Sequence, residues 1–161
     1  YGWNLFDAIH HNNPERQAWK SKINKKMKQK GITHHGRVGH DRIIKETYRA
    51  GLWAYPTHFY EISCITAMKC QATGCIPVVC NYAALKETVQ FGVKVNVDDE
   101  DIFEESTKRK FKVELVKMLK AQDYANDMRP AMMEWARDKF GWDKIASQWS
   151  KEFKSGRKSK K

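Results

Sequence analysis

No apolar run in this 161-residue chain approaches the ~18–20 residues that cross a bilayer. Nor does the N-terminus carry the basic-then-apolar pattern of a secretory signal, so the sequence reads as cytoplasmic. An initiating methionine is lacking too: the chain opens on Tyr1-Gly2-Trp3, and a fragment or processed chain with sequence upstream is expected. Acidic residues are short, 19 Asp and Glu against 30 Lys and Arg, for a net charge of +11. An excess of that size favours polyanions or anionic surfaces electrostatically, but it does not bear on the fold.

Metal-ligand spacing is also missing. Structural zinc sites use tight cysteine pairs, well separated from each other. Here Cys64, Cys70, Cys75 and Cys80 are separated by five, four and four residues. They suit the role of small buried hydrophobes in a reducing compartment. Among His10, His11, His34, His35, His40 and His58 there is no helix-spaced pair beside a carboxylate, so no metal is expected. There is no internal repeat and no recognised nucleic-acid motif. The aromatics fall on core-like positions instead of interleaving with basic residues, which argues against nucleic acid.

What is present suffices for a folded domain. Hydrophobic residues make up 41% of the chain and aromatics 12%, which excludes a disordered tail. Asn13-Pro14 predicts a capped helix start, followed by a Lys-rich helix to about Lys28 with Trp19, Ile23 and Met27 on one line. Ile32 to His35 reads as a short strand closing on Gly36-Arg37-Val38-Gly39. A helix from His40 to Ala50 follows, stopped by Gly51. Then come strand Leu52–Tyr55, helix Ile62–Thr73 with Gly74 as C-cap, strand Ile76–Cys80, a short helix Ala84–Val89 and strand Val93–Val97. Strands alternating with helices imply parallel strands joined by crossovers: an α/β fold with a Rossmann-like open parallel sheet and flanking helices. After Asp98 the pattern is all helix: Phe103 to about Leu119 with Phe111, Leu115, Met118 and Leu119 on one face, Tyr124–Phe140 interrupted near Pro130, and Trp142–Phe153. The basic blocks Arg16–Lys30 and Lys108–Lys120 read as solvated helix faces. Residues 154–161 read as a disordered basic tail.

Ligands of open parallel sheets sit beyond the carboxyl ends of the strands. Tyr55-Pro56-Thr57 leaves one such end, and Glu61 precedes the helix expected from Ile62. The free amides of Ile62, Ser63, Cys64 and Ile65, with the positive end of the helix dipole, suit a phosphate group. Glu61 alone is equally readable as an acidic cap, stabilising the helix by about 0.3–1 kcal/mol.

The segment from Gly51 to Val89 carries a resemblance. Its marks are Tyr55-Pro56-Thr57, Glu61, Ala67-Met68, Gly74, Ile76-Pro77-Val78-Val79 and Leu85-Lys86-Glu87-Thr88-Val89. Upstream stands His35-Gly36-Arg37-Val38-Gly39, and near the end Phe140-Gly141-Trp142. Together they resemble the donor-binding half of a retaining GT-B glycosyltransferase, of the type grouped as glycosyltransferase family 4. The resemblance covers most of the chain, and residues 51–89 are its specific part. It implies that residues 1–153 are a partial GT-B C-terminal domain, its sheet followed by C-terminal helices, with the basic tail at 154–161. It also implies a nucleotide-diphosphate sugar as donor substrate, an acceptor hydroxyl of unspecified identity and a missing N-terminal acceptor domain. Without that domain the chain alone is expected to be inactive, and no cofactor is required.

By position, the resemblance gives Glu61 the catalytic role of orienting the donor sugar. Thr57 and the amides of Ile62, Ser63, Cys64 and Ile65 fall at the substrate-binding positions, chiefly against the diphosphate. A second Glu eight residues on grips the ribose in this family, and eight helical residues rise about 12 Å, the reach from sugar to ribose. Lys69 holds that position here, with three donors and no lone pair to accept from a hydroxyl. It is placed to donate to ribose oxygens or to a phosphate; a different donor and a degenerate site are equally open. Two further readings compete: a basic module with peripheral contact to an anionic surface or nucleic acid, and a catalytically dead glycosyltransferase relative.

Overall fold

A computed structural model describes residues 3–97 and 105–158, which fall into two compact units, residues 1–43 and 44–161. In the first unit, helices α1 (Trp3–His10) and α2 (Pro14–Met27) are joined by a turn. The Asn13 side chain caps α2 by accepting from the Arg16 amide at 3.0 Å, with Pro14 opening the helix, as the sequence predicts. Trp3, Phe6 and Trp19 meet with ring centroids 5.5–6.0 Å apart, and the Trp3 indole donates to Asn24 at 2.9 Å. Lys20 reaches Asp7 at 2.6 Å and holds that carboxyl below its ordinary range. No residue of either helix is fully buried.

The strand expected at 32–35 does not form: those residues are exposed and lie outside any sheet. A strand exists only by pairing, and local β-propensity supplies no partner. Helix α3 (His40–Arg49) follows as expected and crosses the boundary between the units.

The second unit holds a three-stranded parallel sheet in the order β1 (Leu52–Tyr55), β2 (Ile76–Cys80), β3 (Val93–Val95). Tyr55 pairs with Val79, and Cys80 with Val95. Helix α4 (Ile65–Thr73) crosses from β1 to β2, and the short α5 (Leu85–Thr88) lies between β2 and β3. All five residues of β2 are buried, as a central parallel strand requires. One face of the sheet meets Cys64, Ala67, Leu85 and Val89, with Val79, Trp53 and Tyr55 pointing to it. The other joins Ile76, Val78, Cys80 and Val95 to Phe111 and Met118 of α6 (Glu105–Lys120) and to Ala125 and Met132 of α7 (Gln122–Phe140). The sheet is therefore open, parallel and covered by helices on both faces.

Several boundaries differ from the pattern reading. Strand β3 stops at Val95 rather than Val97, and α5 spans Leu85–Thr88 rather than Ala84–Val89. Helix α4 begins at Ile65 rather than Ile62. Helix α7 runs unbroken through Pro130. An interior proline costs about 3 kcal/mol, and the buried stripe Ala125, Met132, Ala136 offsets it by packing. Helix α8 (Trp142–Lys158) continues past Phe153, so the first five residues of the expected tail are helical. The expected helix start at Phe103 lies outside the described residues. Leu119, expected on the buried face of α6, is exposed. Among the described residues no helix is long and apolar enough to cross a membrane.

Two local devices hold the β2–β3 region. Gly92, at φ +98°, passes so close to Pro77 that a β-carbon would stand 2.2 Å from the Pro77 carbonyl oxygen. Gln71 of α4 is fully buried and ties the helix to the segment after α5. Its amide nitrogen donates to the Ala67 and Thr88 carbonyls at 3.1 and 2.8 Å. Its oxygen accepts from the Gln90 and Phe91 amides at 3.1 and 3.3 Å.

Candidate functional site

The carboxyl ends of the three strands deliver Pro56–Cys64, Asn81–Ala84 and Asn96–Val97 to one edge of the sheet. The first loop is built from short local bonds. The Thr57 amide donates to the Tyr55 carbonyl at 2.9 Å, and the Phe59 amide donates to the Thr57 hydroxyl at 3.0 Å. The Glu61 amide donates to the Phe59 carbonyl at 2.9 Å. Thr57 is thus a buried turn-former, 7% exposed, its hydroxyl occupied by the loop itself.

Glu61 is half-buried at the end of this loop. Its carboxylate accepts from the Tyr55 hydroxyl at 2.9 Å, and its carbonyl accepts from the Ala84 amide at 3.1 Å. The side chain is therefore fixed from β1, and its backbone from the loop after β2. The Thr57 hydroxyl draws the Tyr55 pKa down, but burial, the donation to Glu61 and the Glu61 charge leave it raised. Beside them, the Tyr60 and Tyr82 rings meet edge to face at 5.8 Å. Asn81 donates to Asn96 at 2.8 Å across the ends of β2 and β3. Ala83 adopts φ +45° between them, a left-handed conformation unusual for a residue with a β-carbon.

Ile62, Ser63 and Cys64 precede α4 and do not form its first turn. Ile62 is 91% exposed, Ser63 is exposed, and Cys64 is buried as the N-cap residue. The first intrahelical bond runs from the Met68 amide to the Cys64 carbonyl at 3.3 Å. Hence the orphan amides of the helix end are those of Ile65, Thr66 and Ala67, three residues later than expected. Burial pushes the Cys64 thiol pKa up against the lowering pull of the Ala67 and Thr66 amides; the Glu61 charge adds to the rise. A buried, protonated thiol therefore faces the inner side of this helix end. Ile65 presents an exposed side chain at the first helical position.

Lys69 is half-buried one turn further along α4. Only Ile65 to Lys69 is helical, which gives a rise of about 6 Å along the axis in place of the 12 Å expected for a continuous eight-residue helix. The structure thus brings Thr57, Glu61, Tyr55 and the Asn81–Ala84 loop together, with Ile62 and Ser63 projecting outward. The Tyr55–Glu61 bond and the Ala84 anchor escape sequence reasoning. No spacing rule links a strand-end phenol to a carboxylate six residues on in a loop, or Glu61 to the Ala84 amide 23 residues later. Among the described residues no group of three or more His, Cys, Asp or Glu is placed to hold a metal ion.

Set against known protein families, curated proteins and solved structures, the chain matches none of them.

Proposed function

We propose that the loops at the carboxyl ends of β1 and β2, with the N-terminus of α4, form the nucleotide-sugar site of a glycosyltransferase that moves a sugar to an acceptor hydroxyl. The single observation carrying this reading is the Glu61 carboxylate, held by Tyr55 at 2.9 Å at the end of a parallel strand and just ahead of a helix N-terminus. A fixed carboxylate orients sugar hydroxyls by accepting from them. The amides of Ile62, Ser63 and Cys64, with that of Ile65 at the head of α4, supply neutral donors and dipole for a diphosphate. Chemistry at such a site rests on positioning and on stabilising the departing diphosphate. The exposed Ile62 and Ser63 leave their backbone open to a ligand from solvent.

The test is binding. Amide chemical-shift titrations with UDP-, GDP- and ADP-sugars should move the resonances of residues 57–67 and 81–84, and Glu61→Ala should weaken the binding by tenfold or more. Silence from all three donor classes at millimolar concentration refutes the reading. So does a response confined to the basic face of α2. Lys69 favours a second reading, a relative that has lost turnover, because a lysine accepts nothing from ribose hydroxyls. Under that reading Lys69→Glu restores donor affinity. An active enzyme adapted to Lys69 loses affinity instead.

A further inference from the structure

Helix α4 ends in a left-handed glycine, Gly74 at φ +85° and ψ +6°. The Gly74 amide donates to the Gln71 carbonyl at 3.3 Å, and the Cys75 amide donates back to the Cys70 carbonyl at 2.9 Å. These are the two bonds of a Schellman cap, in which the first and last residues usually share an apolar contact. In this chain both of those residues are cysteines. With standard bond lengths, the 2.9 Å bond holds the two α-carbons within about 6.8 Å of each other. Disulfides span about 4.4–6.8 Å between α-carbons. Both thiols are buried, only 1% and 2% exposed. Cys64 and Cys80 belong to clusters on opposite faces of the sheet and have no such cap to join them.

The cap is covered by one face of α7. A β-carbon on Gly74 would lie 3.0 Å from the Met133 sulfur and 3.8 Å from Arg129 Cδ. Arg129 closes this cover by donating to the Gly74 carbonyl at 3.1 Å and to the Gly51 carbonyl at 3.4 Å. The Cys70 hydrogen bond, and then the Arg129 charge, lower the Cys75 pKa, while the same hydrogen bond and burial raise that of Cys70. Both Arg129 and Met133 line a surface groove along α7, so release of the cover opens the cap to solvent.

We propose that Cys70 and Cys75 are a reversible oxidation site, a dithiol that closes to a disulfide across the C-cap of α4 when it meets a low-molecular-weight disulfide. The Cys75 thiolate attacks one sulfur of the small disulfide, forming a mixed disulfide and expelling one thiolate, which takes up the proton that Cys75 lost. Cys70 then attacks the Cys75 sulfur and expels the second small thiol, which leaves with the Cys70 proton. Two electrons and two protons pass from the protein to the small disulfide, and no other reactant is needed.

The experiment equilibrates the folded 161-residue chain in buffers of graded oxidised and reduced glutathione. It is then quenched with acid, alkylated and cleaved after lysine. Cleavage at Lys69 and Lys86 leaves Cys70, Cys75 and Cys80 in one peptide, residues 70–86. The expected product is a peptide about 2 Da lighter with only Cys80 alkylated, since a disulfide removes two hydrogens. The doubly substituted Cys64→Ser, Cys80→Ser chain should give the same closure, and Cys75→Ser should abolish it. Three results overturn the proposal: full alkylation of Cys70 and Cys75 in the most oxidising buffer, a stable glutathione adduct without closure, or closure only in urea. The first measurement uses the unaltered chain, so it does not depend on any variant folding.

Discussion

Gln71→Leu removes a polar clip from the interior at nearly constant volume, and its cost follows from the bonds lost. Gln71 is fully buried and makes four hydrogen bonds. Two of the partners keep an alternative. Ala67 O already accepts within α4, and Gln90 is an exposed residue at the surface end of the clip. The Thr88 carbonyl and the Phe91 amide have no comparable recourse. A buried polar group left unpaired costs about 1–3 kcal/mol. Two of them cost about 2–6 kcal/mol, and the favourable transfer of a leucine returns about 1.5–3, which predicts a loss of about 1–3 kcal/mol. Urea denaturation should therefore show a lower midpoint at unchanged slope, and hydrogen exchange should accelerate at Gln90 and Phe91. Gln71→Glu sharpens the test. The carboxylate still accepts from the two amides but faces the Thr88 carbonyl with no donor, whereas the protonated acid donates to it. Burial and that carbonyl raise the folded pKa of the new group. Its stabilising contribution is then full below the unfolded value near 4.3 and lost as pH rises through the folded one. Gln71→Leu losing less than about 0.5 kcal/mol, or Gln71→Glu stability independent of pH, refutes the clip as an energetic element.

Three further outcomes follow from other parts of the molecule. The Tyr55 hydroxyl should ionise above its ordinary value of 10.0. The linked stability is full below that value and lost as pH rises through the folded one; Glu61→Gln should lower the Tyr55 pKa in a phenolate-absorbance titration referenced to Tyr55→Phe, and an unchanged pKa refutes the assigned cause. Asp7, lowered by its bond to Lys20, stabilises the first unit above an unfolded value near 3.8 and stops doing so as pH falls through its lower folded value. The stability gap between the unaltered chain and Asp7→Asn, read by near-ultraviolet circular dichroism of Trp3 and Trp19, should close in that window. Ala83→Gly should stabilise by up to about 1 kcal/mol, because relief of a left-handed alanine exceeds the entropy glycine adds to the unfolded chain; a drop in denaturation midpoint would refute the strain.

Local signals in the chain were enough for most elements. Asn13-Pro14 caps α2, Gly74 caps α4, and the continuous apolar run Ile76–Cys80 is a strand buried on both faces. The parallel order of β1, β2 and β3 follows from strands alternating with helices, because a parallel neighbour can be reached only by a crossover. The place of the candidate site was legible too: the carboxyl end of β1, with Glu61 ahead of a helix.

Tertiary structure decided the rest, through contacts that no local rule encodes. The segment 32–35 has strand-like residues but forms no ladder, and Pro130 stays helical because the opposite face of α7 is packed. The start of α4 lies at Ile65 because Glu61 belongs to a loop held by Tyr55 and Ala84, and that shift decides which amides lack an intrahelical partner. Cys70 and Cys75, unremarkable as spacings, became neighbours because a left-handed glycine folds the chain back by one hydrogen bond. Sequence alone determined which residues are polar, apolar or breakers, and so where most elements begin. Which side chains meet across those elements depends on pairing and packing between distant segments, and only the folded chain supplies that.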